Sequence, residues 1–266
     1  MKAYFSILKL RFALQLQYRA AAFAGFCTQL FFGFVRVMVY HAFYLSASVI
    51  PPISLQQTIT YTWLAQATFR MLPWSGDREV MKLIRTGNVA YELCRPLNLY
   101  FSWYARLLSI CIVPTMLAGG PLFLVALLLP AGYGVSLPVS LLAGLAFIIS
   151  MTGALLLGCA IANILAISAL WTIAADGVQR LLPAFVMIFS GNIIPLAFFP
   201  NWAQPVLRLL PFSGLADIPF RFYIGALPPS DILPFFLLQM LWTFIIIGLG
   251  YWLVAAATRR VVVQGG

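Results

Sequence analysis

The chain has 266 residues, of which 63% are hydrophobic and 8% are charged, with a formal net charge of +10. Soluble globular domains are nearer half apolar and a quarter charged, so this composition excludes a single soluble domain. Long apolar runs such as "LLAGLAFIISMTGALLLGCAIA" (141–162) lack the alternation of apolar and polar residues that a transmembrane β-barrel requires. The predicted fold class is an all-α membrane protein, because helices satisfy their own backbone hydrogen bonds in lipid.

The first segment, residues 1–19, is predicted to be an amphipathic helix that lies at the membrane surface. Tyr4, Leu8 and Phe12 recur every four residues along it, among basic residues that make it too polar to span. Basic side chains also interrupt the apolar core that a cleavable signal peptide needs, so we expect the segment to remain part of the chain.

Six apolar segments follow, each long enough to be read as a helix that crosses a hydrocarbon core of about 30 Å. The predicted transmembrane helices cover residues 20–45, 56–73, 99–129, 138–166, 180–200 and 231–257. Together with the surface helix they form one transmembrane domain over residues 1–266.

Lysine and arginine are distributed unevenly over the loops between these segments. Of the 16 basic residues, 13 fall on one side of the predicted bundle and two on the other, while Arg36 lies inside the first span. Cytoplasmic loops carry such an excess, which predicts that both termini and the loop 74–98 are cytoplasmic.

The connection before the last span, residues 200–230, then lies on the outer side. It is apolar but broken by repeated proline and glycine, which argues against a continuous span. Irregular backbone at membrane depth must be covered by protein or water. We therefore expect short re-entrant helices here, with Trp202 and Tyr223 as anchors at the membrane surface.

The loop 74–98 contains "SGDREVMKLIRTGN" (75–88), which has the pattern of one short helix. Ser75 or Asp77 can cap its start, and Gly87 can end it in the left-handed conformation. The apolar stripe of this helix comprises Val80, Met81, Leu83 and Ile84. A helix of three turns is not stable alone in water, so the stripe must pack on the protein's own bundle or in the groove of a partner.

The chain lacks the sequence features of an energy source. It contains no GxxxxGK[ST] motif, and none of its three lysines, Lys2, Lys9 and Lys82, follows a glycine-rich loop. No acidic residue is suited to a proton relay inside a span. If the protein moves a substrate uphill, we expect the energy to come from another chain.

Metal, catalytic and nucleic-acid sites are not predicted. The four cysteines include no CxxC pair, and the single histidine, His41, is expected to form hydrogen bonds near the membrane surface. The basic residues are dispersed between apolar runs instead of being gathered on one face, which argues against nucleic acid.

Several polar residues inside the spans are candidates for a substrate pathway. Arg36 must face protein or water, either as a cavity contact or by bonding to backbone or reaching the headgroups. Residues 58, 62 and 66 recur along one face, which either bonds to neighbouring helices or lines an aqueous cavity. "SGNIIPL" (190–196) breaks the fifth span as a packed kink or as a hinge. The candidates are Arg36, Thr58, Thr62, Gln66 and Asn192.

Four stretches carry a resemblance to a known family. They are "ITYTWLAQA" (59–67), "IRTGNVAYELCRPLNLY" (84–100), "FFPNWAQPVLRLLPF" (198–212) and "RRVVVQGG" (259–266). With the six spans, the cytoplasmic helix and the re-entrant connection, the chain resembles the permease subunits of type-2 ABC exporters, and more narrowly a bacterial subfamily of short ABC-2-type permeases.

The resemblance implies a partnership and a mechanism. Such permeases sit in the bacterial inner membrane and work as pairs of identical or related chains bound to two copies of an ATP-binding subunit. That subunit carries ATP and magnesium, so no cofactor is expected on this chain. The helix between spans two and three is then the coupling helix, and its partner-binding residues are Asp77, Arg78, Glu79, Val80, Met81, Lys82, Leu83, Ile84 and Arg85. The implied activity is export of a small amphipathic, lipid-like or cationic molecule.

Two other functions fit the sequence less well. A membrane-embedded enzyme or lipid-modifying protein could use Asp77, Glu79 and Glu92, but these acids come with enough nearby arginine and lysine to form ordinary surface pairs. A passive channel lacks a recognisable filter motif.

Overall fold

The computed structural model describes residues 6, 9, 10, 12–14, 16, 17, 19–171 and 176–259, without the side chain of residue 176. The predicted surface helix over 1–19 therefore lies largely outside the described residues, and its described positions 6, 9, 10, 12–14 and 16 are helical. The "VVVQGG" end of the chain also lies outside them.

The described part of the chain is all helical and contains no strand. The α-helices are α1 (Arg19–Ser46), α2 (Leu55–Ala67), α3 (Arg78–Arg85), α4 (Val89–Leu93), α5 (Leu99–Pro114), α6 (Gly120–Leu128), α7 (Leu141–Ile167), α8 (Asp176–Phe189), α9 (Gln204–Leu209), α10 (Asp217–Tyr223) and α11 (Ile232–Thr258). Short 3-10 helices occur at Phe69–Met71, Ser168–Leu170, Leu196–Phe198, Pro211–Leu215 and Pro229–Asp231, and a π-helical turn at Thr115–Gly119 joins α5 to α6.

Four helical stretches are long and apolar enough to cross a membrane. They are Arg19–Ser46, Leu99–Leu128, Leu141–Leu170 and Pro229–Thr258. These coincide with the predicted first, third, fourth and sixth spans, which confirms a multi-pass helical membrane protein.

The predicted second and fifth spans are shorter than expected. α2 has 13 residues and α8 has 14, so each is about 20 Å long, less than the thickness of a hydrocarbon core. After α2 the chain continues through a 3-10 turn into the buried, non-helical Leu72. α8 ends before Gly191, whose φ of +79° favours glycine and stops the helix. The count of six spans stays a prediction.

The short helix α2 is the centre of the bundle. Its residues 58–67 are all buried, and α1 packs closely on it, since a Cβ at Gly33 would lie 2.4 Å from the Trp63 ring. A second close contact comes from the π turn, where a Cβ at Gly119 would lie 1.9 Å from the Ala67 carbonyl oxygen.

The two ends of α7 define the two ends of the molecule. Two residues before its start, Val139 contacts Gly225 of the connection between α8 and α11. At its end, Ala166 lies against Gly76, immediately before α3. Because α7 has 27 residues, these two regions are separated by about 40 Å.

The close packing of the π turn gives a test of the fold. Gly119→Ala is expected to lower the apparent Tm of the purified protein by about 5 °C, because the new methyl group overlaps the Ala67 carbonyl and overpacking costs roughly 1–3 kcal/mol. Gly120→Ala is the matched control, since a Cβ there has no neighbour within 4 Å. Its Tm is expected to stay unchanged or rise, and equal Tm values for the two variants would contradict this packing.

Candidate functional site

The helix α3 forms where the sequence predicted a short capped helix. Asp77 is the N-cap residue, and its Oδ1 accepts hydrogen bonds from the backbone N–H groups of Glu79 at 2.9 Å and Val80 at 3.3 Å. Gly87 follows the helix with φ of +73°, a conformation that residues with a Cβ rarely adopt. The expected capping by Ser75 or Asp77 is thus fulfilled by Asp77.

An arginine from the neighbouring long helix fastens the start of α3. Arg106 of α5 donates from Nε to Asp77 Oδ2 at 2.9 Å and from Nη2 to Glu79 Oε2 at 2.8 Å. The side chains of Asp77 and Arg106 are 3% and 12% exposed, so the ion pair lies largely out of water. From the sequence we expected surface pairs between these acids and nearby loop residues. The approach of α5 to α3 is a tertiary contact, which local sequence does not show.

The apolar stripe of α3 packs on the protein's own bundle. Val80 is fully buried, and Met81 and Ile84 pack against the same core as Trp103 and Ala166. The opposite side of the helix is exposed and carries three basic residues, Arg78, Lys82 and Arg85. Of the two alternatives for the apolar stripe, the structure shows packing on the protein's own bundle. The surface that α3 presents outward is basic.

The candidate pathway residues of α2 are buried inside the single chain. Thr58 bonds to the backbone of Ser54 and to the Tyr44 hydroxyl at 2.7 Å. The Thr62 hydroxyl donates to the Thr58 carbonyl, and Gln66 is 2% exposed. In this conformation these side chains face their own helix and its neighbours, and their role in a pathway stays a prediction.

Arg36 and Asn192 meet where α8 ends. Arg36 Nη1 donates to the Asn192 backbone carbonyl at 3.1 Å, and the Asn192 side chain donates to the Ala65 carbonyl of α2 at 3.2 Å. Nearby, His41 Nε2 lies 2.6 Å from the Gly132 carbonyl oxygen, in a polar contact of the kind expected for it. Arg36 thus takes the backbone-bonding geometry that the sequence left as one of two alternatives.

A further polar region lies beside the end of α8, around the buried Asp217 of α10, whose backbone N–H donates to the Ser190 carbonyl. Its Oδ1 accepts from the Leu196 N–H at 3.1 Å and lies 3.1 Å from the Tyr61 hydroxyl. Its Oδ2 is 3.7 Å from Arg221 Nη1. Asp217 therefore joins α2, the backbone after α8 and the connection before the last long helix.

The electrostatics around Asp217 follow from burial. Burial raises the pKa of its carboxyl group, and the positive charge of Arg221 partly opposes this. Burial, followed by the positive charge of Arg221, lowers the pKa of the neighbouring Arg208 in α9. These groups and the polar residues Gln57, Asn201 and Gln204 line a cavity of about 350 Å³.

Metal ligands do not gather in the described residues. Within residues 19–171 and 176–259, no three or more His, Cys, Asp or Glu side chains are placed to hold a metal ion. The four cysteines are free thiols, with Cys94 exposed in the loop after α4.

The comparison with known families assigns the chain. The sequence model of the family described as "ABC-2 family transporter protein" matches residues 30–265. The chain belongs to the ABC-2 transporter family. No curated protein matches it. Membership makes the chain a multi-pass transporter permease, of a family whose members normally work with an ATP-binding subunit at the membrane.

The resemblance predicted from sequence is thus confirmed at the level of the family. For this ABC-2 protein, the sequence placed α3 and its cap correctly but missed Arg106, which it counted only as a signal of orientation. It also missed Tyr61, Arg208 and Asp217. The spacing of Asp217 and Arg221 by four residues was an available signal, since it fits an ion pair on one helical face.

The ion pair of α3 can be tested by substitution. Arg106→Gln is expected to lower the apparent Tm by roughly 5–15 °C, because it leaves the Asp77 carboxylate buried without its charge partner. Asp77→Asn combined with Arg106→Gln should restore much of the loss, since asparagine keeps the capping oxygen without the charge.

Arg95→Gln is the matched control, because Arg95 pairs with Glu92 at 3.0 Å but is 62% exposed. Such exposed pairs contribute about 0–1 kcal/mol, so this variant should melt close to the unmodified protein. A double variant no more stable than Arg106→Gln alone would contradict the assigned pair.

Proposed function

We propose that the protein is the permease subunit of an ATP-driven ABC exporter, forms half of the translocation pathway and couples to a separate ATP-binding subunit through α3. Membership of the ABC-2 family supports the role of a transporter permease. The attachment of α3 to the bundle is the single observation that supports its role in coupling. A coupling helix must be held by the spans it moves, and α3 meets that requirement.

Two rigid contacts can transmit a displacement of α3. The Arg106 ion pair joins the start of α3 to α5, and Gly76 lies directly against the backbone of Ala166 in α7. Closely packed interiors transmit strain because they have little free volume. A push on α3 by a partner would thus shift two of the long helices.

The exposed side of α3 suits an acidic groove on the partner. Arg78 and Lys82 lie one turn apart on this side, whereas Val80 is buried in the core of the permease. The docking surface in our proposal therefore consists of Arg78, Lys82 and the partly buried Leu83. ATP and magnesium belong to the partner in this scheme, and closure of two ATP-binding subunits drives the movement.

The scheme also includes a second permease, identical or related, and a small amphipathic, lipid-like or cationic cargo. The outward side of α1 fits contact with a helical partner or with lipid, because it carries large apolar residues, among them Phe31 at 64% and Met38 at 62% exposure.

The alternative function, a membrane-embedded enzyme, gains no support, since Asp77, Glu79 and Glu92 are held in ion pairs.

Docking can be tested by co-expressing the permease with the ATP-binding subunit that the proposal assigns to it. Lys82→Glu is expected to reduce co-purification of that subunit and permease-stimulated ATP hydrolysis by about ten-fold, because it reverses a charge in the proposed interface. Arg259→Glu makes the same charge change on an exposed residue outside it and should leave both measurements unchanged. Equal loss in the two variants would argue against docking through α3.

The orientation can be tested with Cys94, which is exposed. In a chain whose other three cysteines are replaced by alanine, a membrane-impermeant maleimide is expected to label Cys94 in inverted vesicles and not in intact cells. Ser48→Cys, in the exposed loop after α1, is the control and should give the opposite result when Cys94 is also replaced. Labelling of Cys94 in intact cells would contradict cytoplasmic termini.

A further inference from the structure

The cavity beside Asp217 has the size and composition of a ligand site. Its volume of about 350 Å³ lies in the range typical of pockets for small molecules. It opens between the start of α2 and the short helices α9 and α10, at the end of α7 opposite to α3. It is therefore far from the proposed coupling surface, and it lies beside the buried part of α2 that carries Thr58 and Thr62.

The charges that line the cavity are unbalanced. Two guanidinium groups, from Arg208 and Arg221, face one carboxylate, from Asp217. The net charge of this lining is thus positive by one unit. Charges removed from water are costly unless they are paired, so an occupant with one negative charge would be favourable.

Two buried polar atoms of the lining lack hydrogen-bond partners among the described residues. The Nε–H of Arg208 has no acceptor, although its Nη2 donates to Gln204 Oε1 at 2.6 Å. Oδ2 of Asp217 has no donor within hydrogen-bond distance and only the longer 3.7 Å contact with Arg221. Two residues that line the cavity thus each carry an unpaired buried atom, a donor on the cation Arg208 and an acceptor on the anion Asp217.

A purely structural role accounts for only part of this arrangement. Holding α2 and the backbone after α8 together requires Oδ1 of Asp217, which already meets Tyr61 and Leu196. It does not require Arg208, which comes from a different short helix and adds a second positive charge. Buried polar groups in native proteins are nearly always satisfied, so unpaired ones point to an occupant.

We propose that this cavity binds a phosphodiester group with a hydrogen-bond donor beside it, the chemistry of a phospholipid headgroup. The phosphodiester carries one negative charge and accepts hydrogen bonds from Arg208 and Arg221, whose planar forks suit phosphate oxygens. The neighbouring ammonium or hydroxyl group of the ligand donates to Oδ2 of Asp217, which would otherwise repel the phosphate. Gln57 and Asn201 complete the polar lining.

Native mass spectrometry of the purified full chain tests this site. The probes are phosphatidylethanolamine, diacylglycerol as a lipid without phosphate, and soluble glycerophosphoethanolamine. Arg208→Gln is expected to weaken binding of phosphatidylethanolamine by about ten-fold, because it removes charge-assisted hydrogen bonds. Arg208→Lys keeps the charge without the Nε–H and should give a smaller loss, and the Tm of each variant verifies that it is folded.

Arg95→Gln is the matched control, since it removes an exposed arginine far from the cavity and reports lipid bound elsewhere on the surface. If glycerophosphoethanolamine binds with the same dependence on Arg208 while the lipid does not bind, the phosphodiester site is supported and its ligand is a soluble molecule. Equal affinities of Arg208→Gln and Arg95→Gln for both phosphodiester probes would overturn the proposal. So would diacylglycerol binding as tightly as phosphatidylethanolamine.

Discussion

The ion pair between Arg106 and the two acids at the start of α3 is the constraint on which the functional architecture depends. It places a helix of eight residues, too short to be stable alone, at a fixed position on the end of a membrane bundle. The same Asp77 carboxylate caps the helix through one oxygen and binds the arginine through the other. Because a buried pair is costly to break, α3 cannot move without moving α5. The basic surface that remains exposed is then available for a partner.

The short helices α2 and α8 create a second requirement, because irregular backbone follows each of them inside an apolar protein. α2 and α8 both stop short, and the chain beyond each is covered by neighbouring helices. In the backbone after α8, the Leu196 N–H donates to Asp217 and the Asn192 carbonyl accepts from Arg36. Backbone groups must be satisfied within the protein when lipid surrounds it. Asp217, which meets this need after α8, also lines the charged cavity proposed as a headgroup site.

Much of the fold could be predicted from composition and periodicity. The four long helices, the capped helix α3 with its glycine stop, and the broken connection before α11 all follow from local apolar runs, capping residues and prolines. The lengths of α2 and α8 could not be predicted, because an apolar run shows where a helix can form and not where tertiary contacts end it. At the end of α2 the Ala67 carbonyl packs against Gly119, which is 52 positions later in the chain.

The sequence by itself determined that the protein is a helical membrane protein of the ABC-2 kind, because hydropathy, basic-residue distribution and local motifs are properties of neighbouring residues. Only the tertiary structure decided what the individual charges do. Arg106 lies 29 positions from Asp77, and Tyr61 lies 156 positions from Asp217. Such pairs leave no periodic trace in a single sequence. Their partners are set by which helices pack together, and that packing turns scattered polar residues into the ion pair that holds α3 and into a charged cavity.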